Sequence, residues 1–393
     1  MAESIVIVGA KRTPMGSFQS DFANLAASDL GAVAIKAAVE QAGIKPEQVD
    51  EVYFGNVLMA GQGQAPARQA VIKAGLPKST GAVTVHKVCG SAMKTVMMAA
   101  DTLAAGNADI MVAGGMESMT NAPYLLKKAR GGYRIGHDKV YDHMMLDGLE
   151  DAYEAGRSMG TFGEECAEKY NFTREDQDKF AMASVQRAQD AIAAGAFKDE
   201  IAAVTVADRK GERVVDTDEG PGKIKIDKIP TLKPAFKKDG TITAAASSSI
   251  NDGAAAIVLM TESKAKELGC KPLARIVSSA TFAQEPNWFT TAPVYSSQKA
   301  LEKAGWKVED VDLWEVNEAF AVVPMALMKE LNVPHDKVNV NGGACALGHP
   351  IGASGARIMV TLIHALKARG LKKGLATLCI GGGEGTSVCL ELV

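Results

Sequence analysis

Three observations predict an α/β protein with a parallel or mixed sheet covered by helices on both faces. Strand-like runs alternate with helical patterns along most of the chain, and the strand runs are apolar throughout rather than on every second residue. The same order of elements can also be written twice, which predicts two copies of one α/β unit. With 393 residues, 47% of them hydrophobic, the chain is long enough for two or three full-sized cores.

Ser4–Ala10 reads as the first strand. Ser28-Asp-Leu-Gly31 opens an amphipathic helix to Gln41, and Gly43 stops it. Val52–Val57 reads as a strand, Ala67–Ala74 as a helix, Val83–Cys89 as a buried strand, Gly90–Ala105 as a helix and Ile110–Ala113 as a strand. Composition changes near Ser118, and up to about Ser247 the chain is richer in Tyr, Lys, Asp and Glu. This stretch holds a helix opened by a Thr173–Asp176 capping box and running to Ala194, then an irregular Lys-rich run from Lys223 to Lys238. It reads as an insertion, and the lysines as a solvated face or a surface for a phosphorylated ligand.

After Asn251-Asp-Gly253 the alternation resumes: strand Ala255–Met260, helix Ser263–Leu268, strand Ala274–Ala280, helix Ser297–Ala304, strand Leu313–Val316 and a helix from Glu318. A short strand at Val338–Val340, a helix from Gly352 to Ala368 and strands Leu375–Ile380 and Ser387–Leu392 close the chain. The expected division is therefore residues 1–118 plus 249–272 as one half, 119–248 as the insertion and 273–393 as the second half. Residue identity between the halves is faint, so the duplication rests on element order.

A formal charge of −3 gives no electrostatic reason to expect nucleic acid or an anionic membrane. No apolar run approaches the ~20 residues of a spanning helix, and Met1-Ala-Glu-Ser leads directly into a strand without a secretory pattern. Six cysteines lie at long spacings, with no Cys-x-x-Cys and no Cys/His cluster of zinc spacing. The expectation is a reducing, cytoplasmic compartment and no metal.

The chemistry-bearing stretches are Val85-His-Lys-Val-Cys89, Asn317-Glu-Ala-Phe320, the Gly-rich loop from Asn341 through His349 to Gly355, and Cys379-Ile-Gly-Gly-Gly-Glu-Gly385. A cysteine between a strand and a helix sits where backbone N–H groups and the helix dipole favour a thiolate. Each stretch alone has a plain reading: a core cysteine, a helix cap, a hydrogen-bonded histidine. Taken jointly, all four residues fall near strand ends, where parallel α/β sheets bind ligands. Two cysteines, a histidine and an amide fit carbon–carbon bond chemistry on thioesters: one sulfur holds an acyl group, and a second base takes a proton beside a carbonyl. Backbone N–H groups would hold the oxyanions.

With Val88-Cys-Gly-Ser91, Ala113-Gly-Gly-Met-Glu-Ser118, Asn317-Glu-Ala-Phe320, Asn341-Gly-Gly, Gly348-His-Pro-Ile-Gly352 and Cys379-Ile-Gly-Gly-Gly383 in hand, the chain resembles the thiolases over essentially its whole length, most closely the short-chain branch. The resemblance implies two duplicated halves in a five-layered α-β-α-β-α core with an inserted loop domain. It implies an acetyl-CoA C-acetyltransferase activity, the reversible ping-pong condensation of two acetyl-CoA to acetoacetyl-CoA and CoA. Cys89 would carry the acyl group, His349 would activate it, Cys379 would be the acid/base at the α-carbon, and Asn317 would fix a water in one oxyanion hole. The N–H groups of Cys89 and Gly381 would form the other.

By the same resemblance, Leu149, Met159, Phe236, Ala244, Ser248, Ala319 and Phe320 would line the pantetheine tunnel. Lys223 and Lys233 would face the nucleotide end of coenzyme A, and Phe289 would close the acyl pocket. Coenzyme A would be substrate and product, with no resident cofactor, and the assembly a homotetramer. Departures are Ser158 in place of a histidine, Ala244–Ser249 in place of a Gly-Asn-containing run, and Pro221 in place of Arg or Tyr. The alternatives are a broader-range 3-ketoacyl-CoA thiolase, a decarboxylating condensing enzyme, which Cys379 argues against, and a non-catalytic carrier of CoA or lipid on the same scaffold.

Overall fold

The computed structural model describes residues 3–208 and 211–393. The first half runs β1 (Ile5–Arg12), β2 (Gly16–Ser17), α1 (Ala27–Ala42), β3 (Glu51–Gly55), α2 (Pro66–Lys73), β4 (Gly81–Val85), α3 (Ser91–Ala104) and β5 (Ile110–Ser118). The long excursion that follows holds β6 (Tyr124–Leu125), β7 (Tyr141–Asp142), α4 (Met159–Tyr170), α5 (Arg174–Ala193), the β8–β9 hairpin (Val204–Asp208, Gly211–Val215) and α6 (Glu219–Lys223). The chain then returns to the first sheet as β10 (Asn251–Thr261), followed by α7 (Glu262–Leu268). The second half is β11 (Ala274–Ala283), α8 (Ala292–Ala304), β12 (Leu313–Val316), α9 (Val322–Leu331), α10 (Ala344–Leu347), α11 (Ser354–Arg369), β13 (Lys373–Ile380) and β14 (Glu384–Leu392).

The strand order is β12-β13-β14-β11-β1-β10-β5-β3-β4, with β3 parallel to β4 and β5, β12 parallel to β13, and antiparallel pairing elsewhere along the path. The sheets of the two halves meet where β1 and β11 pair at Val6–Arg275 and Ile7–Ala274. Helices α1 and α2 pack on one sheet and α8 and α9 on the other, while α3 and α11 are buried between both. That gives five layers. Residue choice explains the middle layer: α11 is buried at every position from Ser354 to Leu366, so it cannot be a surface helix.

Three expectations fail locally. The strand at Val83–Cys89 stops at Val85, and residues 86–90 form a turn instead. The strand at Val338–Val340 is reduced to a single parallel bridge between Val338 and Trp314, because the Gly-rich loop leaves the sheet immediately afterwards. The helix expected from Glu318 begins at Val322, since Asn317–Ala321 pairs with the insertion through Ser247–Phe320 and Ala321–Ala246 contacts. The β8–β9 hairpin went unread because its strands are polar and exposed over Gly211–Val214.

Candidate active site

Cys89 sits in the turn between β4 and α3, directly after Val88, whose φ of 45° is left-handed. A β-branched residue there is strained, and the surroundings must hold it. They do: the Ser91 hydroxyl donates to the Val88 carbonyl (2.6 Å) and accepts from the Lys87 N–H (2.8 Å), and Lys87 pairs with Glu384 of the opposite half. Cys89 is half-buried, packed between the middle-layer core and a cluster containing Val57, Leu58 and Ile351. Burial pushes its thiol up to about 11, opposed by the N–H groups of Gly381 and of Cys89 itself, which face the sulfur.

Cys379 is the penultimate residue of β13 and fully buried. Its thiol is held well above the ordinary value by burial and then by charge on Cys89, which brings the two sulfurs into one electrostatic neighbourhood although 290 residues separate them in sequence. The β13–β14 turn that carries Gly381 needs glycine at Gly382 (φ 92°) and Gly383 (φ 90°).

His349 lies in the loop between α10 and α11 and lines a cavity of about 270 Å³. Its Nδ1 is 2.5 Å from the Ser354 hydroxyl, which spends its own proton on the Pro350 carbonyl (2.9 Å). Ser354 therefore accepts from Nδ1–H, leaving Nε2 free of a proton and able to act as base. Burial and the nearby Arg357 charge lower the His349 pKa to about 3, so the ring is neutral at rest. Asn317, immediately after β12, places Nδ2 at 3.5 Å from the ring; its Oδ1 is buried without a partner among the described residues. Glu318 beside it anchors the loop through Ser184 (2.7 Å), Asn339 (2.7 Å) and the Cys345 N–H (2.9 Å).

Of the expected ligand contacts, Leu149, Met159, Phe236, Ser248, Ala319 and Phe320 line the same cavity as His349. Ala244 and Lys223 line a neighbouring cavity of about 460 Å³, and Ser249 borders both. Lys233 borders neither, and the lysines on the wall beside Lys223 are Lys225 and Lys228. Phe289 is not among the residues lining the inner cavity. It is buried behind Phe320, with ring centroids 6.4 Å apart, and edge-on to Phe162. Sequence reasoning also missed Ser354, although a Ser five residues after a loop histidine at a helix start is a readable signal. It missed Asn251 too, whose Oδ1 accepts the His349 N–H (3.2 Å) from β10. Among the described residues no cluster of three or more His, Cys, Asp or Glu could hold a metal.

Two sulfurs in one electrostatic neighbourhood, N–H groups facing Cys89 and a neutral imidazole on the wall of a cavity suit acyl transfer through a cysteine. The comparisons agree. The family model described as the thiolase N-terminal domain matches residues 5–263, and that of the thiolase C-terminal domain residues 270–392. A Chromobacterium violaceum acetyl-CoA acetyltransferase is 53% identical over 389 residues, 98% of this chain and 99% of the relative. One from Pseudomonas aeruginosa is 51% identical, covering 99% of each. The crystal structure of the Bacillus anthracis acetyl-CoA acetyltransferase superposes with a TM-score of 0.97 at 42% identity, covering 100% of this chain and 99% of that one. The Acat5 thiolase from Ascaris suum in complex with coenzyme A gives 0.93 at 42% identity, covering 100% of both chains.

Proposed function

The chain belongs to the thiolase family, and from that premise we propose that it is an acetyl-CoA C-acetyltransferase, joining two acetyl-CoA into acetoacetyl-CoA and CoA and running the reverse. The observation that carries the reading is that Cys89 and Cys379, one from each half, lie close enough for the charge of one to act on the other, with the Gly381 N–H facing the Cys89 sulfur. Cys89 attacks the thioester carbonyl while its proton passes to Nε2 of His349, and the departing CoA sulfur takes the proton of the Cys379 thiol, leaving Cys379 as the thiolate. The N–H groups of Cys89 and Gly381 hold the oxyanion.

A second acetyl-CoA then loses an α-proton to the Cys379 sulfur. Its enolate oxygen is held on the His349–Asn317 side, and its carbon attacks the acetyl group on Cys89. Collapse frees the Cys89 thiolate, which recovers its proton from His349, while Cys379 keeps the α-proton and is a thiol again. Coenzyme A is substrate and product, with its pantetheine in the cavity of Met159 and Phe320 and its phosphates towards Lys223, Lys225 and Lys228.

The test is two half-reactions. Cys89→Ser abolishes the burst of CoA released from acetyl-CoA, and a retained burst overturns the reading. Cys379→Ala still takes up acetyl but condenses ~10²–10⁴ times more slowly, the ordinary loss of a general base. Condensation at the wild-type rate removes Cys379 from the role.

The homotetramer implied by the family resemblance is supported by two exposed surfaces. One is the edge strand β4 with its exposed Val83, and the other is the arm between β6 and β7, where Ile135 is 97% exposed. A cytoplasmic location fits six unpaired cysteines and, among the described residues, no helix long and apolar enough to cross a membrane.

A further inference from the structure

Glu117, next to the last residue of β5, has no part in the steps above, and we infer that it is a positioning residue, locking the His349 loop of the second half onto the first half beneath Cys89. The inference rests on the acyl-cysteine reading. The Glu117 side chain is fully buried. Its Oε1 accepts from the Asn56 amide (2.7 Å) and the Leu58 N–H (3.1 Å), and its Oε2 from the N–H groups of Val57 (3.0 Å) and Gly352 (2.9 Å). One carboxylate thus ties together the loop after β3, the end of β5 and the Gly348-His-Pro-Ile-Gly352 loop. All four partners donate, so the ionised form alone satisfies them as they stand.

The seat around this lock is made of bare backbone. A Cβ at Gly115 or at Gly55 would collide with the Gly352 carbonyl, and one at Gly352 would meet the Glu117 carboxylate and the Met116 carbonyl. The loop therefore rests on glycines that give no lateral grip, and Glu117 supplies it. Ile351, one residue before the anchored N–H, packs in the cluster of Val57 and Leu58 against which Cys89 rests. His349 is two residues further back, so a slip of this loop moves Nε2 relative to the sulfur. Displacements near 1 Å typically cost ~10² in rate. The Glu117 charge also acts on Cys89, adding to the burial that raises its thiol.

The experiment measures, on the full chain, the CoA-release burst from acetyl-CoA, the dissociation constant for CoA, and the alkylation rate of Cys89 by iodoacetamide at pH 8, mapped by mass spectrometry. Absence of a burst in the wild-type protein would sink the acyl-cysteine reading and not this inference. In Glu117→Gln the burst slows by about 10², CoA affinity changes less than about threefold, and alkylation speeds up several-fold because the neighbouring negative charge is gone. In Glu117→Asp, which keeps the charge and shortens the arm, alkylation stays within about twofold of wild type while the burst slows at least about tenfold. A wild-type burst rate in either variant overturns the inference, as does a slowing matched by an equal loss of CoA affinity. If the Gln variant does not fold, the Asp variant decides alone.

Discussion

At the residue scale the question is where the first proton goes. Burial makes the Cys89 thiolate and the His349 imidazolium each costly alone, with the thiol pushed to about 11 and the imidazole to about 3. The charged forms therefore arise together, as a thiolate–imidazolium pair steadied by the N–H groups of Gly381 and Cys89. The sign follows for pH. The raised thiol pKa keeps Cys89 protonated beyond the ordinary cysteine range, so its alkylation rate should climb by about tenfold per pH unit from pH 7 to pH 9. A plateau reached below pH 8, followed by stopped-flow with iodoacetamide, would mean a resting thiolate instead. Candidate residue types are legible here: Cys89, Asn317, His349 and Cys379 stand out beside glycines and at element ends. The left-handed Val88 and the Ser354-fixed tautomer are not, because both depend on groups whose contacts only the folded chain defines.

At the element scale the insertion is docked by a buried ion cluster together with backbone hydrogen bonds of Arg12 to Glu200 and Ala202. Arg12 at the end of β1 is fully buried and reaches Glu200 (2.5 Å) and, with both terminal nitrogens, Asp218 (2.6 and 2.8 Å). Burial works against its charge, and the two carboxylates more than offset that. Arg12→Met leaves both carboxylates buried without their partner and should cost about 3–5 kcal/mol, measured by urea unfolding. Adding Glu200→Gln and Asp218→Asn should return most of it, and a loss under about 1 kcal/mol would show the cluster to be solvated. Long apolar elements were read well: β1, α1, α3, β13 and β14 appear within a few residues of their expected bounds. The β4 end, the missing strand at Val338–Val340 and the late start of α9 were not, since all three are settled by pairing with distant segments.

At the scale of the whole molecule, two sheets share one buried helical layer, with Cys89 following a strand of one and Cys379 near the end of a strand of the other. The arm from Tyr124 to Asp142 stands apart from this body, with Tyr124, Leu126, Ile135 and Val140 exposed among lysines and arginines. Replacing residues 126–139 by a short Gly-Ser linker should reduce a tetramer to dimers in light scattering while leaving the acetyl-CoA burst intact. An unchanged mass would remove the arm from the assembly.

By itself the sequence determined the α/β class and the order of elements, and it singled out four candidate side chains, Cys89, Asn317, His349 and Cys379. These follow from periodicity, turn residues and chemical type, which are properties of short stretches. Only the tertiary structure decided that Cys89 and Cys379 share one field, that His349 rests as a neutral base, that Phe289 stands behind the wall, and that Glu117 grips the opposite half. Each of those depends on burial and on hydrogen bonds between residues far apart in the chain, and a linear pattern carries no record of which distant backbone will arrive beside it.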